Sequence, residues 1–320
     1  MVFQALVVCY NVVILKGKEG NNMRKIGPIT GTFIDEITYD IPSSNWGIKE
    51  WKRDLDNMQR VGIDTLIFIR GGFENKSVFP CKMLGNLKTF DFADFIFSEA
   101  SKRKMDVYFG MYISNIDWNG GDYKGEIAKN KVFMDEVLTR YGHYTSFKGW
   151  YIPQECSYDI LNFKDIMRGM SALCKDKSPD KNVLISPFFR TKITDPDGGY
   201  SLNENLEEWD KLFTYGGKDI DICAFQDGTV PLSEMGDYFG GLRALTDKHN
   251  ITHWVNVELF ERDVRAMYYP IPFNQLAPKI ELHKDYADKM ICFEYSHFLS
   301  PQSIYPSARN LSKLYKKHYL

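Results

Sequence analysis

The sequence lacks a surplus of charge of either sign: 40 Lys and Arg stand against 42 Asp and Glu in 320 residues, for a formal net charge of −2. No basic stripe or like-charge run breaks this balance. A nucleic-acid or membrane-surface partner is therefore not expected, and a small neutral ligand fits best. Cysteine is sparse as well. Cys9, Cys81, Cys156, Cys174, Cys223 and Cys292 contain no C-x-x-C pair and no zinc-like spacing, which leaves buried free thiols as the default. The histidines His143, His249, His253, His283, His297 and His318 are scattered and form no H-E-x-x-H motif, so neither a metal nor a cofactor is expected. Ser157 and Ser186 lack the G-x-S-x-G elbow of a serine hydrolase. No transmembrane segment is expected, because beyond the amino terminus no apolar run is long enough to cross a bilayer. The amino terminus does have an apolar run, but without the basic region and small-residue cleavage site of a signal peptide. Leu6 to Cys9 is a weak lipoprotein box, with Val8 where a small residue belongs. Cytoplasmic and exported locations both stay open. Residues 1–24 read as an extension outside the core, and no Pro/Gly-rich linker divides residues 25–320. Nothing in the sequence sets an oligomeric state.

What is present is an alternation. From Lys25 onward, short apolar, β-branched or aromatic runs alternate with longer segments of helical period, the pattern of repeated βα units. Strands are expected over 26–35, 63–71, 105–114, 147–155, 182–189, 220–228, 251–260 and 290–298. Many are apolar in consecutive positions, as parallel strands covered on both faces should be. Between them lie amphipathic stripes: Ile48, Trp51, Leu55, Met58 and Val61; Ile127, Val132, Met134, Val137, Leu138 and Tyr141; Ile160, Phe163, Met167, Met170 and Leu173; and Ala308, Leu311 and Leu314. From Asp35 to Glu294 the strand ends recur about every 37 residues, close to the unit of an α/β barrel. The expected fold is a single (β/α)₈ TIM barrel. An open doubly wound sheet would want a Gly-rich phosphate turn after its first strand, and TGTFIDE has none.

In such barrels the carboxyl rim carries the chemistry. Here that rim is rich in acids: Asp35 and Glu36 after the first strand, Gln154 and Glu155 after the fourth, Gln226 and Asp227 after the sixth, Glu258 at the seventh, and Glu294 with Tyr295 and His297 at the eighth. Arg70 follows the second strand and Tyr112 ends the third. Aromatics make up 15% of the chain, and Trp46, Trp118, Trp150, Tyr151, Phe188, Phe189 and Phe225 fall at or near strand ends. Flat rings with polar edges suit sugar faces, although most barrel aromatics are core.

Two carboxyl groups facing one cleft suffice for glycoside hydrolysis, one protonated beside the leaving oxygen and one ionised at the anomeric carbon. Glu155 and Glu258 meet that requirement. Glu155 could instead cap the helix expected near Asp159. For Glu258, flanked by Val257 and Leu259, burial is costly unless it opens into a cleft or is paired. Arg70 either holds Glu258 ionised or pairs with Asp35 or Glu36 across neighbouring strands. Asp227 is the main rival for a catalytic role, although Gln-Asp-Gly after a strand is also a common turn. Glu294 is a further candidate, and Asp35, Glu36, Arg70, Tyr112, Trp118, Gln154, Gln226, Asp227, Glu294, Tyr295 and His297 are candidate substrate-binding residues.

Through the segments PITGTFIDEI, IDTLIFIRGG, GWYIPQE and FQDG the chain resembles a bacterial family, domain of unknown function 4434, from about Gly27 through the last strand. The resemblance implies a glycoside-hydrolase-type barrel whose members are often exported, with a carbohydrate as partner. The arrangement is also similar to the large clan of retaining glycosidases with an acid/base after strand four and a nucleophile after strand seven. That likeness implies Glu155 as acid/base and Glu258 as nucleophile. Gln154 departs from the Asn that usually precedes the clan's acid/base. The expected function is a retaining glycosidase acting on an oligo- or polysaccharide. The competing readings are a non-catalytic carbohydrate-binding barrel and a metal-dependent hydrolase built on Asp35, Glu155, Asp227 and Glu294.

Overall fold

A computed structural model of the chain describes residues 26–38, 41–115, 117, 121–155, 161–193, 195–262 and 267–320. The expected extension over residues 1–24 lies outside them. Eight parallel strands form the centre: β1 (Ile29–Ile34), β2 (Thr65–Phe68), β3 (Asp106–Gly110), β4 (Phe147–Ile152), β5 (Asn182–Ile185), β6 (Ile222–Gln226), β7 (Thr252–Glu258) and β8 (Lys289–Phe293). Each pairs with its neighbours in chain order, and β8 closes on β1 with Ile29 opposite Met290. The fold is the expected (β/α)₈ barrel.

The strands are shorter than the apolar runs that announce them. β3 stops at Gly110, and Tyr112–Ile113 pairs with Gly72–Phe73 in a small separate sheet at the rim. After β7 the chain turns into a hairpin, Phe260–Arg262 antiparallel to Tyr268–Pro270. Past β8 it winds into a helical turn, Tyr295–Phe298, where strand was expected. The cause is shared: these rim segments are themselves packed into the core, so their apolarity continues after the ladder has ended.

Helices α1 (Ile48–Val61), α2 (Phe92–Arg103), α3 (Tyr123–Tyr141), α4 (Phe163–Lys177), α5 (Leu202–Gly216), α6 (Leu232–Lys248), α7 (Phe273–His283) and α8 (Pro306–Tyr319) cover the barrel. On α1 the expected stripe of Trp51, Leu55, Met58 and Val61 is buried, while Ile48, in the first turn, is exposed. The Glu50 carboxylate accepts the Gly47 N–H at 3.1 Å, and Gly62 ends the helix in the left-handed conformation (φ 99°), which favours glycine. Two further stripe residues, Val132 and Leu314, also face solvent, and Ile160 lies outside the described residues. Tyr315 is buried in place of Leu314, and its hydroxyl accepts the Ile29 N–H at 3.2 Å, tying α8 to β1. Among the described residues no helix is long and apolar enough to cross a membrane.

There are two apolar layers. The larger lies between strands and helices. The smaller fills the barrel itself with Phe33, Ile67, Ile69, Tyr108, Tyr151, Leu184, Ile222, Ala224, Trp254 and Ile291. It forms a plug, and the candidate site lies on top of it.

Candidate active site

Successive strand residues point to opposite faces, so the interior residues of each strand predict which rim residues face inward. Phe33 on β1, Tyr151 on β4, Ala224 on β6 and Trp254 on β7 belong to the interior layer. In phase with them stand Asp35, Glu155, Gln226, Asn256 and Glu258. All five line one cavity of about 280 Å³ at the barrel mouth, together with Arg70, His297 and Phe293. Out of phase stand Glu36, Gln154, Asp227 and Glu294, none of which lines it.

Hydrogen-bond donors gather on Glu155. The Tyr151 hydroxyl, four residues before it in the chain, donates to its Oε1, and the Gln226 amide also reaches the carboxylate. Arg70 donates from Nη1 to Thr38 Oγ1 at 3.0 Å, and its charge acts on Glu155. Burial raises the Glu155 carboxyl above the usual range, while Arg70, Tyr151 and Gln226 each oppose that rise. Among the described residues Glu155 caps no helix, since α4 begins at Phe163 with Asn162 as its N-cap, and Asp159 lies outside the described residues. Arg70 does not play either expected part. The cations acting on Glu258 are Lys279 and Arg262, and the one on Glu36 is Lys88. Asp35 Oδ1 instead accepts the main-chain N–H groups of Ile37 and Thr38, each at 3.1 Å.

Glu258 ends β7 and has different surroundings. Its carboxylate packs directly over Gly228, where any Cβ would overlap it. Burial first, then the nearby Asp227 charge, push its carboxyl up to about 7, against the opposing pull of Lys279 and Arg262. Glu258, Phe260 and Arg262 also line a second cavity of about 640 Å³, walled by Gly228 to Leu232, the hairpin and the first turn of α7. Glu258 thus stands at the junction of an inner and an outer chamber.

The remaining sequence candidates have other partners. Glu36 is ion-paired with Lys88 at 2.5 Å, and its carboxyl is raised to about 7, by burial above all. Gln154 turns outward and donates to Glu126 Oε1 on α3 at 2.9 Å, while Glu126 also accepts the Ser114 N–H. This strut holds the loops after β3 and β4. Tyr112 bends away with the rim sheet, and its hydroxyl donates to the Glu74 carbonyl at 3.0 Å. Asp227 faces α7; it lines the outer cavity and is absent from the inner one. Glu294 turns from the cavity and stands 2.9 Å from His297 Nε2. Tyr295 is fully buried in the outer core, because the helical turn rotates it away from the mouth and brings His297 round to it. The hydroxyl of Ser296 in that turn donates to the buried Asp54 carboxylate of α1 at 2.8 Å, and Ser300 and Gln302 just beyond it donate as well. Trp118 lies outside the described residues.

Sequence reading missed Asn256, Phe260, Arg262, Tyr268 and Phe293, all at the cavity. Asn256 was legible by strand phase, two residues before Glu258. Its Nδ2 donates to Ser186 Oγ at 3.1 Å, while its buried Oδ1 has no hydrogen-bond partner. The hairpin residues carried no such signal. Arg262 stacks on Tyr268, 5.0 Å from the ring centroid, and forms one wall. Among the described residues no group of three or more His, Cys, Asp or Glu is arranged to hold a metal ion.

The family described as domain of unknown function (DUF4434) matches residues 29–305. A solved structure from Bacteroides thetaiotaomicron VPI-5482, described as a "putative alpha-L-fucosidase", is 38% identical with a TM-score of 0.86, covering 96% of this chain and 98% of its own. The endo-1,4-β-D-mannanase of Thermotoga petrophila RKU-1 is 14% identical with a TM-score of 0.59, covering 92% of this chain and 100% of its own. An intracellular xylanase of Thermoanaerobacterium saccharolyticum is 15% identical with a TM-score of 0.53, covering 86% and 89%. At such identities the likeness is one of fold. No functionally curated protein matches the chain.

Proposed function

The chain belongs to the DUF4434 family, and from that premise we propose that it is a glycoside hydrolase acting on an oligo- or polysaccharide with retention of configuration, through Glu155 and Glu258. The observation that carries this reading is the pair itself: two carboxyl groups from the ends of β4 and β7 line one cavity, both raised by burial, but Glu155 beside the Arg70 cation and Glu258 beside the Asp227 anion. Divergent environments are how two glutamates acquire two roles.

Strand position alone would make Glu155 the acid/base and Glu258 the nucleophile. The surroundings support the reverse. Glu155, with Tyr151 and Gln226 donating to it and Arg70 nearby, is the better ionised group. Glu258, raised to about 7, keeps a proton near neutrality and borders the outer chamber, where a leaving group can lie. In this reading Glu258 gives its proton to the glycosidic oxygen as that bond breaks, and Glu155 forms an ester with the anomeric carbon. Glu258, now a carboxylate, then takes a proton from water, whose oxygen displaces Glu155 and releases the sugar.

The test is a panel of aryl glycosides and glycans, including aryl α-L-fucosides because of the name borne by the 38% identical relative. Binding to the same panel is measured alongside. On a substrate so found, Glu155→Gln abolishes turnover, while Glu258→Gln retains glycosylation of substrates with activated leaving groups. Azide then rescues Glu258→Ala to a glycosyl azide of retained configuration and Glu155→Ala to one of inverted configuration. The opposite azide stereochemistry overturns the role assignment. Near-normal kcat/KM in both glutamine variants, or binding without turnover across the panel, overturns the function.

A further inference from the structure

Asp227 follows β6 in the Gln-Asp-Gly sequence and is fully buried, with its carboxylate turned away from the inner cavity toward α7. Its Oδ1 accepts the Lys279 ammonium at 2.7 Å and the main-chain N–H of Glu258 at 3.0 Å. Its Oδ2 lies 3.0 Å from His283 Nε2. Lys279 and His283 are four residues apart on α7 and so share one helix face. Lys279 Nζ also reaches the Glu258 carbonyl at 3.4 Å, so the N–H and C=O of Glu258 are both held by the same cluster. The glycine after Asp227 lets the Glu258 carboxylate lie against the chain. A common turn would need neither the two basic residues nor the grip on a neighbouring strand.

We propose that Asp227 is a positioning residue for Glu258, gripping its main chain and placing a fixed negative charge beside its carboxyl group. Burial alone would raise Asp227 itself, but Lys279 and His283 outweigh it and hold its carboxyl below the usual range. Asp227 therefore stays ionised at pH values where Glu258 still takes up a proton. The charged groups facing Glu258 are Asp227 from the loop after β6, Lys279 with His283 behind it from α7, Arg262 from the hairpin and Glu155 from the loop after β4. After burial, Asp227 has the largest influence among them and exceeds the opposing Lys279. The same cluster that places the acid thus sets its proton affinity.

The proposal rests on reading Glu258 as the acid, but its test needs no substrate, so the two can fail separately. The full chain carrying carboxyl-labelled glutamate is titrated by carbon NMR, and the Glu258 signal is assigned by its loss in Glu258→Gln. Asp227→Asn keeps a carbonyl acceptor and removes the charge. It lowers the Glu258 midpoint by about one pH unit or more. Lys279→Gln keeps a donor and removes the opposing cation, and it raises the midpoint. Loosened packing alone would move both variants downward, toward the ordinary glutamate range. Shifts in the same direction, or none in Asp227→Asn, overturn the proposal. Should Lys279→Gln fail to fold, amide exchange at Glu258 in Asp227→Asn decides. Continued protection with the downward shift supports a charge effect, and lost protection assigns mere packing and overturns it. The exposed Arg262→Gln, which raises the midpoint, calibrates the method on a variant with no buried partner to lose.

Discussion

Replacing Gly228 by Ala adds one methyl group at the point where the Glu258 carboxylate rests. A Cβ there would meet Oε2, Cδ and Oε1 of Glu258 well inside 3.0 Å, closer than real Cβ contacts come. Ordinary carbon–oxygen contacts lie at roughly 3.3–3.6 Å, so the carboxylate must retreat by more than about 1 Å. The main chain cannot follow easily, because Asp227 and Lys279 hold the N–H and C=O of Glu258. A misplacement of about 1 Å at a reacting group costs on the order of 10²-fold in rate, or about 2.7 kcal/mol of barrier. The backbone itself should accept Ala. The described glycines in the left-handed region are Gly62 and Gly121, not Gly228. A Gly→Ala change at a compatible site gains about 0.4–1 kcal/mol through the unfolded chain. The expected outcome is a loss of about 100-fold or more in kcat on the best aryl glycoside, with a thermal midpoint within a few degrees of wild type. A folded Gly228→Ala protein that keeps its rate within about threefold would show that the seat of Glu258 does not matter to turnover, and would refute the reasoning.

Tyr151→Phe removes a donor from Glu155, whose proton affinity then rises. The acid limb of the kcat/KM profile moves up by about one to two pH units, the worth of one charge-assisted hydrogen bond, and an unmoved limb would count against an ionised Glu155. Stability depends on pH through Glu36, whose carboxyl is raised to about 7 in the folded chain. Being raised above its unfolded value, it contributes stability fully present below about pH 4.5 and lost as pH rises through about 7, at most about 3.4 kcal/mol. Denaturant unfolding at successive pH values should show that decline, and Glu36→Gln should reduce it, leaving the share that Glu258, raised to the same region, contributes; an unchanged slope excludes Glu36 as a source. Asp54→Ala leaves the Ser296, Ser300 and Gln302 donors without their buried acceptor. It should cost about 2–4 kcal/mol of unfolding free energy, and a cost under about 1 kcal/mol would mean that another group anchors the turn carrying His297.

What the sequence by itself determined is what local backbone geometry controls. Parallel strands, apolar on both faces, separated by helical stripes at a regular spacing leave little besides a barrel, and its carboxyl rim follows from chain direction alone. Strand period extends this to the site. Counting by twos from the buried Tyr151 and Trp254 sends Glu155, Asn256 and Glu258 inward and Gln154 outward, with no tertiary information beyond which face is inside. The expectations for Glu36, Gln154, Asp227 and Glu294 ran against this period, and others fell where the chain turns away from the barrel: Tyr112 past β3, Tyr295 in the helical turn past β8, and the hairpin past β7. Partnership was decided only by tertiary structure. Arg70 has its effect on Glu155, and Asp227 meets Lys279 and His283 some fifty residues along the chain. Those meetings depend on barrel closure and on the rotation of α7 about its own axis, which sequence periodicity leaves undetermined to within a residue. A shift of one residue on a helix turns a side chain through roughly 100°, enough to exchange a buried ion pair for solvent.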